Sequence, residues 1–177
     1  MRNSECVRET NRDSSFGIPN CAFPNRYNAR MAEAQPAYDP RYLAGVVLFN
    51  RRDFFEAHEV WEALWLSPDV GEDRRFVQGL IQAAVGLYHF GTGNLRGAKK
   101  LYGTARAYME AYASPYLGLD HAALWRAMHG CFADLLATGD PPTGVELDAA
   151  LIPTIVLDPP PAAWPDPEPF LDEDHQA

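Results

Sequence analysis

The stretch Phe49-Asn-Arg-Arg-Asp-Phe-Phe-Glu-Ala-His-Glu-Val-Trp-Glu-Ala-Leu-Trp65 constrains this chain more than any other. One histidine, three glutamates, two tryptophans and three phenylalanines fall within about five turns of helix. Charged groups and aromatics packed this closely cannot all face water, and an unpaired charge against apolar surface is costly. The segment is therefore either a buried structural network or a site.

The rest of the chain has room for a core around it. Its 177 residues suit one domain with tails, and 47% of them are hydrophobic. The net charge of −9 is poorly matched to a nucleic-acid backbone, which is bound by concentrated Lys and Arg. Lysine occurs only at Lys99 and Lys100, as in a GC-rich coding sequence. Cys6, Cys21 and Cys131 are odd in number and lack a Cys-x-x-Cys pair, so neither a disulfide framework nor a thiolate zinc site is indicated. No apolar run of about 20 residues is present to span a bilayer, and the N-terminus lacks the apolar core of a secretory signal. The expectation is a cytoplasmic protein with neither a nucleic-acid nor a membrane partner.

Residues 1–38 are polar, rich in Asn, Arg, Ser and Pro, and have neither helical nor strand period; disorder is expected. A start at Met31, with the preceding segment an upstream over-reading, is one hypothesis. Residues 39–140 read as the helical domain. Asp39-Pro40 sets a cap before a first-turn proline, opening a helix to about Asn50 with Leu43, Val46 and Val47 inward. Asp53, with Glu56 three residues on, fits a variant of the capping box for a second helix to Leu66. Ser67-Pro68-Asp69-Val70-Gly71 breaks the pattern, and a third helix covers about Glu72 to Phe90. Gly91-Thr-Gly-Asn94 separates it from a fourth, about Leu95 to Ala113. A fifth begins at Asp120 and ends near Thr138-Gly139, with Leu124, Met128, Cys131 and Leu135 at helical spacing. Residues 141–177 are proline-rich and acidic and cannot be regular helix. Ile152, Ile155, Val156 and Leu157 suggest that part of this arm lies extended across the helices, with a fraying tail.

On a helical wheel, Phe54, Ala57, Trp61, Leu64 and Trp65 form the main apolar arc of the second helix. His58 and Glu62, four residues apart, form a polar wedge between that arc and Phe55 with Leu66. Glu59 sits further round. On the third helix Gln78, Gln82 and His89 share a stripe, and Gly79 and Gly86 share another. Glycine inside a helix costs roughly 1 kcal/mol against alanine, so two on one face suggest a closely packed neighbouring backbone. A short loop makes the second and third helices antiparallel neighbours, and His58 and Glu62 are expected to meet Gln78, Gln82 and His89 between them.

A carboxylate on an imidazole N–H fixes its tautomer and raises its basicity, which is half of a general-base arrangement. Two histidines with one or two glutamates also have the chemistry of a zinc or iron site. The spacing is neither His-Glu-x-x-His nor the paired Glu-x-x-His of di-iron bundles, so no metal is assigned and the cofactor is left open. The plainer account is that these groups satisfy one another, as buried polar groups usually do. If the wedge is a reaction site, His58 should reach a cleft with one nitrogen unpaired. If it is structural, both nitrogens should be satisfied.

The other polar residues read as ordinary. His121 and His129 flank Trp125 on the fifth helix and read as satisfied or surface groups. Arg106 and Glu110 make an i,i+4 surface pair. Arg74 and Arg75 lie in a helical first turn, where the dipole disfavours cations, so either an acidic partner such as Glu59 or Glu62 or plain solvation is expected.

Phe49-Asn50, the Phe55-Glu-Ala-His-Glu59 run with Trp61, Glu62 and Trp65, then Phe76-Val-Gln-Gly-Leu-Ile-Gln82, His89 and Gly93-Asn94-x-x-Gly97-Ala98 resemble the DUF309 family. The resemblance spans about residues 40 to 105. It implies a compact all-α fold for a group of small prokaryotic and plastid-lineage proteins whose function is undefined, and supplies no reaction, cofactor or catalytic residue. The long segment before Met31 departs from the family's usual short start.

The reading is thus an all-α fold, a compact bundle of about five helices with a proline-rich C-terminal arm. Its function is that of a non-enzymatic binding or interaction module with an unknown protein or small-molecule partner and possible homo-oligomerisation. The alternative is a metal-assisted or acid–base hydrolase using His58 with Glu62 or Glu59.

Overall fold

Helix ends in this protein are set by short capping signals, and those signals divide the chain into five α-helices among the described residues, 37–140 and 142–171 of a computed structural model. These residues belong to one structural unit, Gln35–Ala177. The expectation of a start at Met31 lies outside the described residues, as do most of the expected disorder over 1–38 and the end of the last dozen residues, expected to fray. Of these stretches, Tyr38 donates to the Pro159 carbonyl at 2.8 Å and Glu168–Phe170 form a 3-10 turn.

Helix α1 (Pro40–Arg51) opens with Asp39, whose side chain accepts from the Arg41 amide at 2.8 Å, and with Pro40 in the first turn. It closes at Arg52, which takes a left-handed conformation (φ 78°) and donates its amide to Phe49 at 3.1 Å. Helix α2 (Phe54–Leu66) follows after two residues. Asp53 holds the N-cap position, yet its side chain makes no capping bond, so the expected capping box is not formed. Asn94 has nearly the same backbone angles and does cap, so backbone geometry alone is not the reason.

Ser67 and Pro68 turn the chain into a 3-10 segment (Pro68–Asp73), where Gly71 adopts φ 50°. That kink moves the start of α3 (Arg74–Gly91) two residues beyond the Glu72 expected from sequence. The Asn94 side chain accepts from the Gly97 amide at 3.1 Å and begins α4 (Leu95–Met109). A Cβ at Gly97 would lie 2.6 Å from the Asn94 amide nitrogen, so the small residue makes room for the cap. Asp120 caps α5 (His121–Ala137) by accepting from the Ala123 amide at 2.9 Å.

Helices α1, α2, α3 and α4 pack in sequence, each on the next. The indole of Trp61, fully buried, fills the space left by Gly45 and donates to the Tyr42 carbonyl at 3.1 Å. Phe49 lies beside it at 6.1 Å, and Phe76, Leu80, Leu87 and Phe132 are buried in the same core. The glycine stripe of α3 meets α4: a Cβ at Gly79 would lie 3.2 Å from the Ala105 carbonyl, and one at Gly86 would lie 3.5 Å from Leu101. The second and third helices are neighbours, as expected, but α3 packs more extensively on α4 than on α2. Helix α5 touches α4 much less closely than α3 does.

There is no strand among the described residues, only isolated bridges pairing Leu119 with Tyr116 and with Leu157. Between residues 142 and 171 the chain holds two single-turn 3-10 helices, Ala149–Leu151 and Glu168–Phe170. Ile152, Ile155 and Leu157 are buried. Asn50 clamps this stretch to α1, donating to the Ile155 carbonyl at 2.8 Å and accepting from its amide at 2.7 Å. Arg52 donates to the carbonyls of Ile152 and Pro153.

Candidate functional site

The six polar residues singled out on α2 and α3 are not drawn into one cluster. His58 is half-buried, and its Nδ1 bonds to the Phe55 carbonyl one turn back. A carbonyl only accepts, so Nδ1 carries the proton and Nε2 is left as the free lone pair of the neutral ring. Among the described residues Nε2 has no hydrogen-bond partner, and no bond joins His58 to Glu62. Glu62 is exposed, while Glu59 is half-buried and has an interaction of its own.

On α3, Gln82 turns away from α2: its Oε1 accepts from the Thr104 hydroxyl of α4 at 2.6 Å. Gln78, one turn earlier on α3, is half-buried. His89 lies 3.3 Å from the Asn94 amide at the far end of the helix. What crosses from α2 to α3 beside His58 is aromatic. The Phe55 ring lies 4.9 Å from His58 and 5.6 Å from Tyr88, and Tyr88 lies 6.0 Å from His89.

Arg74 also differs from expectation. It meets neither Glu59 nor Glu62; it donates to the carbonyls of Trp65 (2.6 Å) and Ser67 (3.1 Å) and lies over the Trp65 ring. The cation sits at the C-terminal end of α2, where carbonyls lack helical partners and the dipole favours positive charge. That gain offsets its unfavourable place at the start of α3. Arg75 lies over Tyr108.

Concave parts of the surface lie elsewhere, and one of them is at α5. Where α5 diverges from α4, a cavity of about 470 Å³ opens, within the range of small-molecule pockets. Arg106, Arg126, His121, Trp125 and His129 line it, with Tyr112 and Ala122. His121 and Trp125 are 5% and 6% exposed, and the Nε2 of one and the Nε1 of the other are buried without a hydrogen-bond partner. They are four residues apart on one helix face.

Packing holds both rings in place. His121 packs edge-on against Phe76 at 5.7 Å, within a cluster that includes Tyr112 and Tyr116. Trp125 packs edge-on against Tyr102, which stacks on Phe132 and places its hydroxyl 3.2 Å from His129 Nδ1. At the rim Arg106 donates to Glu110 at 2.6 Å, the surface pair expected from the sequence. The Ser114 hydroxyl donates to Asp120 and accepts from the Ala122 amide.

The expectation that His121 is a satisfied or surface group is thus corrected. Helical spacing put it on the same face as Trp125, but its burial depends on Phe76 of α3, which is remote in sequence. The one sequence signal available was a histidine at the first position of a helix whose cap, Asp120, is already used by the backbone.

Elsewhere the chemistry is quieter. Burial pushes the Cys131 thiol up to about 11, so it is a thiol and not a nucleophilic thiolate at neutral pH. Among the described residues no group of three or more His, Cys, Asp or Glu side chains is arranged to hold a metal ion. No helix there is long and apolar enough to cross a membrane.

Fold and surface together define an all-α domain whose sequence motifs serve mainly as caps and clamps, with several open cavities among the described residues, one of them beside α4 and α5. Residues 42–101 match the model of the family described as Domain of unknown function (DUF309), which these motif residues resemble. The Uncharacterized protein YpuF of Bacillus subtilis (strain 168) is similar, 35% identical over 101 residues. The aligned part is 55% of this chain and 58% of that protein, so less than two thirds of the relative is spanned. The function of the family is undefined, and α5 with its cavity lies beyond the matched residues.

Proposed function

We propose that this protein is a non-enzymatic binding module and that its ligand site is the α4–α5 cavity. The observation that carries the reading is the cavity of about 470 Å³ beside α4 and α5, where the Trp125 and Tyr112 rings adjoin the charged Arg106 and Arg126. In this reading the six residues His58, Glu59, Glu62, Gln78, Gln82 and His89 support the α2–α3 face separately. The acid–base alternative has one observation in its favour, the free Nε2 of His58, and lacks a carboxylate on Nδ1. The same reading keeps the protein in the cytoplasm and away from nucleic acid, which a net charge of −9 repels.

The test is a ligand-observed NMR screen of mixed small molecules against the full chain and its Trp125→Phe variant, with melting midpoints taken for both. Saturable hits that weaken in the variant are expected. Hits that bind both proteins equally, or none at all, would remove the cavity as the site.

A further inference from the structure

Beyond the α4–α5 cavity, we infer a second binding site, a hollow of about 450 Å³ at the start of α1 that takes an organic amine, a protonated nitrogen on an apolar body. The two cavities share no lining residue. This one forms where the first turn of α1 meets the end of α2, the kinked 3-10 segment Pro68–Asp73, the loop before α5 and the C-terminal arm at Pro159. Its volume falls within the range of small-molecule pockets.

The hydrogen bonds of the lining leave acceptors over and no donors. Tyr38 donates its hydroxyl proton to the Pro159 carbonyl at 2.8 Å, and Tyr42 donates its own to the Leu117 carbonyl at 3.1 Å. Gly118 takes φ 72°, and a Cβ there would fall on the Tyr38 hydroxyl, so the small residue makes room for that clamp. No Lys, Arg or His is among the described lining residues.

The carboxylates are matched unequally. Arg41 holds both oxygens of Asp39, at 3.1 and 2.9 Å. The charge of Asp69 acts on the same guanidinium, but among the described residues Asp69 enters hydrogen bonding only through its backbone amide. Asp73 accepts from the Tyr116 hydroxyl on Oδ1, which leaves its second oxygen uncommitted. With Asp39 and Arg41 neutral as a pair, Asp69 and Asp73 make the hollow negative. An ammonium group brings three N–H donors, a positive charge and no acceptor, which complements this surface. Among the described residues no three acidic groups converge to hold a metal ion, so a bare divalent cation does not fit.

The other walls set the body of the ligand. Leu64, Val70 and Val77 are buried in the lining, and the Tyr38 and Tyr42 rings lie 6.0 Å apart. An aromatic or aliphatic amine fills such a space, and an inorganic ion leaves most of it empty. The amine belongs either to a free small molecule or to a lysine side chain of a polypeptide, and the same chemistry recognises both.

The experiment follows the backbone amides of Val70 and Gly118 in the full chain by two-dimensional NMR. The protein is titrated separately at pH 7 with benzylamine, benzyl alcohol, methylammonium chloride and Nα-acetyl-lysine methylamide. Benzylamine is expected to shift both amides in a saturable way, at least tenfold more tightly than benzyl alcohol or methylammonium. Asp69→Asn changes an exposed side chain and should weaken benzylamine at least threefold at an unchanged melting midpoint. Raising sodium chloride from about 0.01 M to about 1 M needs no variant, and it should weaken benzylamine by a similar factor.

Equal binding of benzyl alcohol and benzylamine, or an affinity unmoved by both salt and Asp69→Asn, would overturn the charged nitrogen. Methylammonium binding as tightly as benzylamine would overturn the apolar body. A lysine derivative that outcompetes benzylamine supports the amine and assigns its source to a polypeptide, while the reverse order assigns it to a free small molecule. No saturable shift of Val70 and Gly118 with any of the four sinks this site and leaves the α4–α5 reading, tested through Trp125, standing.

Discussion

The α2–α3 face and the α4–α5 face carry similar residues and satisfy them to different degrees. Both hold histidines among aromatic rings, and both were visible in the sequence as helical faces mixing polar and apolar groups. On α2 and α3 most of the polar groups find partners nearby, His58 on Phe55 of its own helix, Gln82 on Thr104 and Arg74 on the end of α2, while the buried Trp65 Nε1 finds none. On α5 two buried ring nitrogens find none. The difference follows from packing. α3 sits between α2 and α4 with its glycines against the α4 backbone, so side chains there are close to backbone acceptors. α5 packs on α4 through large rings, and the neighbours that shut in His121 and Trp125 are aromatic, so neither buried nitrogen meets an acceptor. A dense cluster of charged and aromatic residues in sequence is therefore a poor guide to a site, because density also supplies mutual partners.

The most damaging way to probe this contrast is on the tightly packed side. Gly45→Ala places a Cβ against the indole of buried Trp61, where no space exists. Overpacking of this kind costs about 1–3 kcal/mol, read as a fall in the urea midpoint at unchanged slope. An unchanged midpoint would mean that α1 and α2 can separate freely, and the comparison would fail at its packed end.

The two histidines should respond with opposite sign. His58→Ala removes one hydrogen bond on a half-buried ring and is expected to destabilise by about 1 kcal/mol. His121→Phe replaces an unpartnered buried nitrogen by an apolar ring of similar shape, so stability should hold or rise by up to about 1 kcal/mol in the absence of ligand. Thermal unfolding of both variants checks the pair, and a marked loss in His121→Phe would show that its nitrogen is bonded after all.

Smaller still is the effect expected at Gly130, within α5, where an added Cβ would meet nothing within 4 Å. Gly130→Ala should stabilise by roughly 0.5–1 kcal/mol through helix propensity alone, opposite in sign to the same change at Gly45. Denaturant midpoints of the two alanine variants, measured side by side, test the packed-against-open contrast most directly.

The gentlest probe is pH. Burial alone would raise the Asp39 carboxyl, but its hydrogen bonds and charge contact with Arg41 outweigh that and hold it below its ordinary value of 3.8. A depressed carboxyl contributes stability in full above the unfolded value and loses it as pH falls through the folded one. Acidification below about pH 4 should therefore weaken the wild type slightly more than Asp39→Asn, seen by comparing melting midpoints at pH 7 and pH 3. Equal losses would mean that Asp39 acts as a cap without its charge.

Much of the fold was legible before any coordinates. Asp39-Pro40, Asn94 and Asp120 announced three helix starts, and each side chain makes its capping bond. The inward positions of α5, Leu124, Met128, Cys131 and Leu135, are all buried. The spacing of Gly79 and Gly86 foretold a close backbone, although not that α4 would supply it. Gly45 gave no comparable warning, since a lone glycine in a helix has no periodic partner. The wedge was misjudged at Leu66, which is exposed, so Glu62 is not enclosed between two apolar flanks. The kink at Gly71 likewise moved the start of α3.

What the amino-acid order determined by itself is local: helix boundaries, caps and the inward face of each rod. These depend on bonds and periodicities a few residues long. Only the tertiary structure decided which faces meet, and with that which polar atoms are satisfied. Gln82 reaches Thr104, 22 positions away, while His121 is buried against Phe76 with its nitrogen unpaired. Such pairings depend on the spacing between packed helices, a property of all their side chains together that no single helix encodes.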